Sequence, residues 1–299
     1  MYKFHSGEEL IKLAKQHKIP ISEVVIRYET ANSTRNRSQV IEKMYKRLEY
    51  MDKAIQDGLK NKKPSASGMS GESTYKLLKI MKNKKKKMLL NDLTLKAMTY
   101  ALATVENNAT MGCIVASPTA GASGVIPGVL FAVKEYLKLS KEELLKGIFV
   151  TSGVGLIIAE NATLAGAEGG CQAEIGSATA MAAAGITEMR GGQPDDCLNA
   201  AALALKNLLG LTCDPIGGMV EVPCVKRNAL AAVYSIAASD MTMVGIESFV
   251  PFDEVVEAMS NIGKLISPKL RETALGGLAV TDTGKKLNKK LGLKIKSND

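Results

Sequence analysis

The chain has 299 residues, 46% hydrophobic and 23% charged, the proportions of an ordinary globular protein, which exclude a disordered or collagen-like one. Its formal charge of +9 rests on fourteen lysines in three runs: Lys60, Lys62 and Lys63; Lys82 and Lys84 to Lys87; and Lys285, Lys286, Lys289, Lys290, Lys294 and Lys296. Without them the remainder is net acidic, and no aromatics interleave with them to stack bases, so they read as solvated surface and no nucleic-acid partner is expected. The uncharged runs from Gly147 to Ala159 and from Ile175 to Thr187 are shorter than the roughly 18 to 20 apolar residues of a membrane span. The opening MYKFHSGEELIKLAKQHK has no apolar stretch followed by a cleavage site. Five widely spaced cysteines fit a reducing compartment better than a disulfide framework. The expectation is a soluble cytoplasmic protein.

In chain order, Ser6 with Glu9 forms a capping-box pattern opening a helix through His17. A second helix starts near Ser22 and runs through VVIRYE, and a third covers QVIEKMYKRLEYMDKAIQDGL with apolar residues at helical spacing. Residues 1–60 read as a helical arm and 61–299 as the compact helical region that follows. The stretch KNKKPSASGMSGES, residues 60–73, is a polar loop, and residues 75–90 return to a helix ending in lysines. Further helices are expected near 92–106, 124–138, 141–159, 172–189, 195–209, 226–243, 252–265 and 269–278. Ser140 with Glu143 makes another capping box, Pro194 suits a first helical turn, and Gly210 suits a helix stop.

No stretch alternates long enough to seed a sheet, and the best β candidate, Met219 to Val222, reads as a short pre-proline segment in a bend. The fold class is therefore all-α. Trp is absent and aromatics are 4%, so the core must be built from Ala, Leu, Ile, Val and the 14 Met. SATAMAAAG and NALAAVYSIAAS are small and apolar all round, which predicts two buried helices.

Chemistry concentrates at three cysteines on glycine- or proline-bent segments: Cys171 in GGCQAE, Cys213 in LTCDPIGG and Cys224 in VEVPCVKRN. Bends bring backbone N–H groups toward sulfur and permit close approach. Cys197 lies in a helical pattern and Cys113 in an apolar run, so both read as bystanders. Free cysteines are often simply buried, and that reading stays open beside metal ligation. Structural zinc usually takes four closed ligands and catalytic zinc commonly uses His, whereas the only histidines are His5 and His17 in the arm.

Three thiolates suit a 4Fe-4S cube with one open iron, a Lewis acid rather than an electron carrier. Two hydroxyl- and glycine-rich segments could hold a carboxylate: Ser65, Ser67 and Ser70 in SASGMSGE, and Thr119 and Ser123 in SPTAGASG before a helix. A flexible linker and an ordinary helix start are the plain readings of the same segments.

SASGMSGE, NATMGCIVASPTAGASGVIPGVL, GGCQAEIGSATAMAAAG, LTCDPIGGMVEVPCVKRNA and TALGGLAVTDTGKKL together resemble the α chain of the iron-sulfur-dependent L-serine dehydratases, in order from about residue 60 to 286. The resemblance implies a helical catalytic domain whose Cys171, Cys213 and Cys224 hold a 4Fe-4S cluster. It also implies β-elimination of L-serine to aminoacrylate and thence pyruvate and ammonia. Ser65, Ser67, Ser70, Thr119 and Ser123 are the expected substrate contacts, with Lys226 and Arg227 supplying positive charge beside Cys224.

Single-chain relatives carry an additional N-terminal domain with a Ser-His-Thr motif that has no counterpart here, so a separate β chain is expected to complete the site and bring the base. Some of them also end in a cysteine, which this tail lacks, so inhibition by the tail is not expected. Threonine deamination, cysteine desulfidation and a non-catalytic cluster scaffold are the alternatives. No loop typical of pyridoxal phosphate binding is evident.

Overall fold

Thirteen α-helices with short helical turns between them account for most of residues 2–83 and 87–293, the part that the computed structural model describes. They are α1 (Gly7–His17), α2 (Ile21–Asn32), α3 (Arg37–Lys60), α4 (Ser73–Lys82), α5 (Asp92–Ala109), α6 (Val125–Leu137), α7 (Lys141–Asn161), α8 (Gly166–Gly169), α9 (Ser177–Met189), α10 (Pro194–Lys206), α11 (Cys224–Met243), α12 (Phe252–Leu265) and α13 (Asp282–Lys290). No strand occurs among the described residues, and an isolated bridge pairs Cys213 with Arg271. Lys84, Lys85, Lys86, Lys294 and Lys296 of the lysine runs lie outside the described residues.

Local chemistry sets most helix ends. Ser140 accepts from the Glu143 N–H while Glu143 accepts from the Ser140 N–H, the reciprocal pair that the sequence predicts. At α1 the pattern is only half realised: Ser6 accepts from Glu9 N–H, but the Glu9 carboxylate takes the N–H of His5. Pro194 opens α10, and Gly210, with φ of +82°, lies beyond its end.

Helix α9 is the axis of the molecule, buried from Ser177 to Met189 and packed by α6, α7, α10 and α11. A helix of small residues can be enclosed on every side because its neighbours come close. A Cβ on Gly185 would sit 2.9 Å from the Gly147 carbonyl oxygen of α7, and one on Gly128 only 2.7 Å from the backbone N of Ala101 in α5. Phe4, Leu10, Ile21, Val25, Met51 and Ile55 from the first sixty residues join the apolar cluster that holds Val129, Ile148, Ile157 and Ile186.

Three expectations are corrected. The second small-residue helix, α11, is buried on one side only, because α5, α9 and α10 pack against that side; Leu230 is 56% exposed and Tyr234 49%. The stretch 269–278 forms short turns at Pro268–Leu270 and Gly277–Val280 instead of a helix. Its backbone is captured elsewhere: Cys213 N–H donates to the Leu270 carbonyl and Glu272 N–H to the Cys213 carbonyl. Finally, α4 stops at Lys82, short of the expected residue 90.

Candidate active site

Three bends deliver the three cysteines. Gly170, with φ of +75°, turns the chain after α8, and Cys171 follows, 1% exposed. The next residues, Gln172–Gly176, form a π-helical turn before α9, a wide turn often found at functional sites. Its outer end is pinned where the buried Gln172 amide donates to the Met259 carbonyl and accepts from Gly210 N–H. Cys213 is held by its bridge to the 270–272 segment, and Cys224 begins α11 directly after Pro223. All three are free and buried.

The neighbouring Cys213 thiol, followed by the nearby Arg227 guanidinium, holds Cys171 below the ordinary thiol value despite burial. The same neighbour relation, then burial, raises Cys213. Burial first, and the charges of Cys171 and Glu174 after it, push Cys224 up to about 12. Glu174, on the π turn, lies among these groups: Thr119 donates to one oxygen at 2.6 Å, and the other lies 3.9 Å from the Cys213 Sγ. Burial dominates there and pushes its carboxyl up. Space beside it depends on a missing side chain, since a Cβ on Gly166 would lie 2.7 Å from the Glu174 Oε2 and 3.1 Å from the Cys213 Sγ.

The serine loop meets the 213–224 segment at Glu221. Its hydroxyls converge on one carboxylate, Glu221, with Ser65 and Ser70 each 2.5 Å from Oε2 and Ser67 2.9 Å from Oε1. From beneath, Glu106 accepts from the N–H groups of Gly71, Ser73 and Thr74 and so fastens the loop to the start of α4. Gly71 has φ of +108°, and a Cβ there would come within 2.4 Å of the Lys63 carbonyl, so the turn requires glycine.

The remaining expected residues are placed less uniformly. Thr119 reaches the site through Glu174, whereas Ser123 is wholly buried and spends its hydroxyl on the Ala120 carbonyl. Arg227 acts on Cys171 and, by its charge, on Cys224 as well, and is braced by the Thr212 carbonyl and Asp214. Lys226 is exposed, and no side-chain bond is found for it among the described residues. Cys197 is buried in α10 and Cys113 is exposed. His5 pairs with Glu160 and His17 stacks on Tyr2.

Sequence reasoning missed Glu174, Glu221, Glu106 and Asn228. The Asn228 amide donates to the carbonyls of Gly121 and Cys224 and accepts from Gly124 N–H, tying α11 to the 117–124 turn. A separate cavity of about 320 Å³ lies between α2, α3, α6 and α7, with Ser117 and Pro118 in its wall.

Among the described residues, no three His, Cys, Asp or Glu side chains are drawn together closely enough for a single ion. A polynuclear cluster makes a different demand, because each thiolate binds a separate metal atom.

These features define an all-helical protein in which one loop, residues 213–224, joins buried thiols to a serine-rich turn through the Glu221 carboxylate. The chain belongs to the serine dehydratase alpha chain family, which it matches over residues 16–279. It is 46% identical over 288 residues to a Bacillus subtilis protein named "Probable L-serine dehydratase, alpha chain", covering 96% of this chain and 95% of that one. It is 38% identical over 288 residues to the L-serine dehydratase alpha chain of Peptoniphilus asaccharolyticus, covering 95% and 97%. The L-serine dehydratase of Streptomyces coelicolor is 35% identical over 285 residues, which is 93% of this chain and 61% of that longer one. Among the described residues no helix is long and apolar enough to cross a membrane.

Proposed function

We propose that this chain is the α subunit of an L-serine dehydratase, a lyase that eliminates water from L-serine and releases pyruvate and ammonia. The observation that carries the reading is the meeting of Cys171, Cys213, Glu174 and Arg227, with Cys224 beside them, in a chain that belongs to this family. The donor set supports a 4Fe-4S cluster held by Cys171, Cys213 and Cys224: three soft thiols, no histidine, and a space beside Cys213 that a Gly166 Cβ would fill. When bound, such a cluster supplies Lewis acidity to the hydroxyl that must depart, since hydroxide is a poor leaving group.

The chain's own residues do the rest. Arg227 stabilises the thiolate form of Cys171, the form that binds metal. Glu174 is oriented by Thr119, and burial raises its carboxyl. Asn228 and Asp214 hold the two ends of the cysteine loop, Asp214 accepting both from Arg227 and from Leu278 N–H. Removal of the α-proton requires a base, and neither histidine of this chain lies at the site. The base is assigned to a separate β chain, a partner that the alpha-chain naming of the relatives supports.

The test is anaerobic co-purification of the chain with its β chain, followed by pyruvate and ammonia release from L-serine, with L-threonine and L-cysteine in parallel. Turnover of L-serine above the other two is expected. No turnover of any of the three by a cluster-loaded complex refutes the assignment, and full-rate turnover by the α chain alone refutes the need for a partner.

A further inference from the structure

The cavity between α2, α3, α6 and α7 is divided by polarity. Buried Val25, Met51, Ile126, Ile148 and Met181 line its inner part, and its volume of about 320 Å³ is roughly twice the ~150 Å³ of an apolar cavity that holds benzene. The hydroxyls in the wall are occupied. Thr151 and Ser152 both donate to the Ile148 carbonyl, at 2.8 and 2.9 Å, and the Ser117 hydroxyl turns to the Val115 carbonyl at 3.5 Å. A polar body placed there would give up its bonds to water for few in return, whereas a hydrocarbon gives up none.

The open side is cationic. Val40 and Met51 of α3 are buried, while Lys43 and Arg47, at helical spacing on the same face, reach solvent. Arg35, in the turn before α3, joins them half-buried, and Glu29 of α2 is the acid in the lining, so three cations stand against one carboxylate. Among the described residues no ion pair and no side-chain hydrogen bond is found for Arg35, Lys43 or Arg47. Their neighbours are matched: Arg27 and Arg37 pair with Glu23, and Lys46 with Glu42. The unmatched cations are therefore those that border the cavity. An anion carrying an apolar tail satisfies both halves at once.

We propose that this cavity binds an amphipathic monocarboxylate with a chain of about six to ten carbons, its tail in the apolar part and its carboxylate on the guanidinium forks of Arg35 and Arg47. Val25 and Arg35 belong to the first sixty residues, and Ile126, Ile148 and Met181 to α6, α7 and α9, so the ligand fastens the former onto the latter. The site goes beyond the dehydratase reading and does not depend on it.

The experiment is titration calorimetry on the complete complex with its β chain, prepared anaerobically. Octanoate, octanol and octylamine share a tail and differ in the head; butanoate and hexanoate share the head with octanoate and differ in the tail. Octanoate is expected to bind once per α chain, octanol more weakly and octylamine most weakly. Each CH2 added from butanoate to octanoate should tighten binding by about twofold to fourfold. With Arg35→Gln and Arg47→Gln combined, octanoate should weaken on the order of tenfold while octanol stays within about twofold. Ser152→Leu puts bulk in the wall and keeps the cations, so octanoate and octanol should both weaken, on the order of tenfold.

No octanoate binding by the wild-type complex overturns the proposal, including the case in which a segment of the β chain fills the cavity. Octylamine binding as tightly as octanoate overturns it too, as does an affinity indifferent to chain length or an octanoate Kd unchanged by the arginine substitutions. Should Ser152→Leu fail to fold, the chain-length series still reports on the tail and the arginine substitutions on the head. A complex that does not turn over L-serine refutes the dehydratase reading alone and leaves the calorimetry readable.

Discussion

Replacing Glu106 with glutamine tests how the serine loop is fastened. The carboxylate is 1% exposed; one oxygen accepts from Gly71 and Ser73 N–H at 3.2 and 2.9 Å, the other from Thr74 N–H at 3.0 Å. Burial alone would raise its carboxyl, but the N–H groups of Thr74 and Ser73 outweigh burial and hold it below 4.5. Glutamine keeps one oxygen and replaces the other with an NH2 that cannot accept. At least one backbone N–H is then left without a partner, at about 1–3 kcal/mol, and the remaining bonds lose the strength that charge gives them.

A destabilisation of about 2–4 kcal/mol at pH 7 is therefore expected, measured as the shift in urea unfolding followed by circular dichroism. The pH dependence has a definite sign. The folded value lies below the unfolded one, so the stabilisation is complete above about pH 4.5 and is lost as pH falls through the folded value. The gap between wild type and Glu106→Gln must narrow on acidification, and amide exchange at residues 71–74 must accelerate in the variant at neutral pH. A gap that is the same at pH 7 and pH 3.5, or below about 0.5 kcal/mol at pH 7, refutes the reasoning.

Gly58→Ala should destabilise by about 1–3 kcal/mol or more in thermal unfolding, because its Cβ would lie 2.0 Å from the Ala103 carbonyl oxygen and α3 would have to move off α5; an unchanged Tm contradicts the close packing of those helices. Glu188 is a carboxyl raised chiefly by burial, so the stability that it contributes is present below about pH 4.5 and falls as pH rises through its folded value. Glu188→Gln should flatten that fall in urea titrations between pH 4.5 and 8, and an unaltered profile counts against it. Alanine at Cys171, Cys213 or Cys224 should each abolish the visible absorption of the anaerobically prepared protein, while Cys113→Ala and Cys197→Ala should retain it; colour that survives all three site substitutions removes the ligand assignment.

The parts of the molecule that carry their own local signal could be read in advance. The capping pair Ser140–Glu143, the proline at position 194 and the apolar spacing of α12 mark helices whose ends are set by neighbours in sequence. Cys171, Cys213 and Cys224 stood out because glycine and proline bend the chain at each. The carboxylates did not, because their partners are distant: Glu221 meets Ser65 156 residues away and Glu174 meets Thr119 across 55. A single glutamate in a loop has no period or cap to announce it. Ser123 shows the opposite error, a hydroxyl in a promising segment whose bond turned out to be local, to Ala120. The region 269–278 has helical composition but loses its backbone partners to Cys213, a competition visible only in three dimensions.

The central claim is that three thiolates of this chain hold a cluster with one iron open to substrate. Mössbauer spectroscopy of the 57Fe-reconstituted complex, with and without L-serine under anaerobic conditions, tests it most directly. The account predicts that about one quarter of the iron signal changes on adding L-serine while the remainder does not. Four irons that all ignore L-serine, or a protein that takes up no iron and sulfide yet still releases pyruvate, would contradict it.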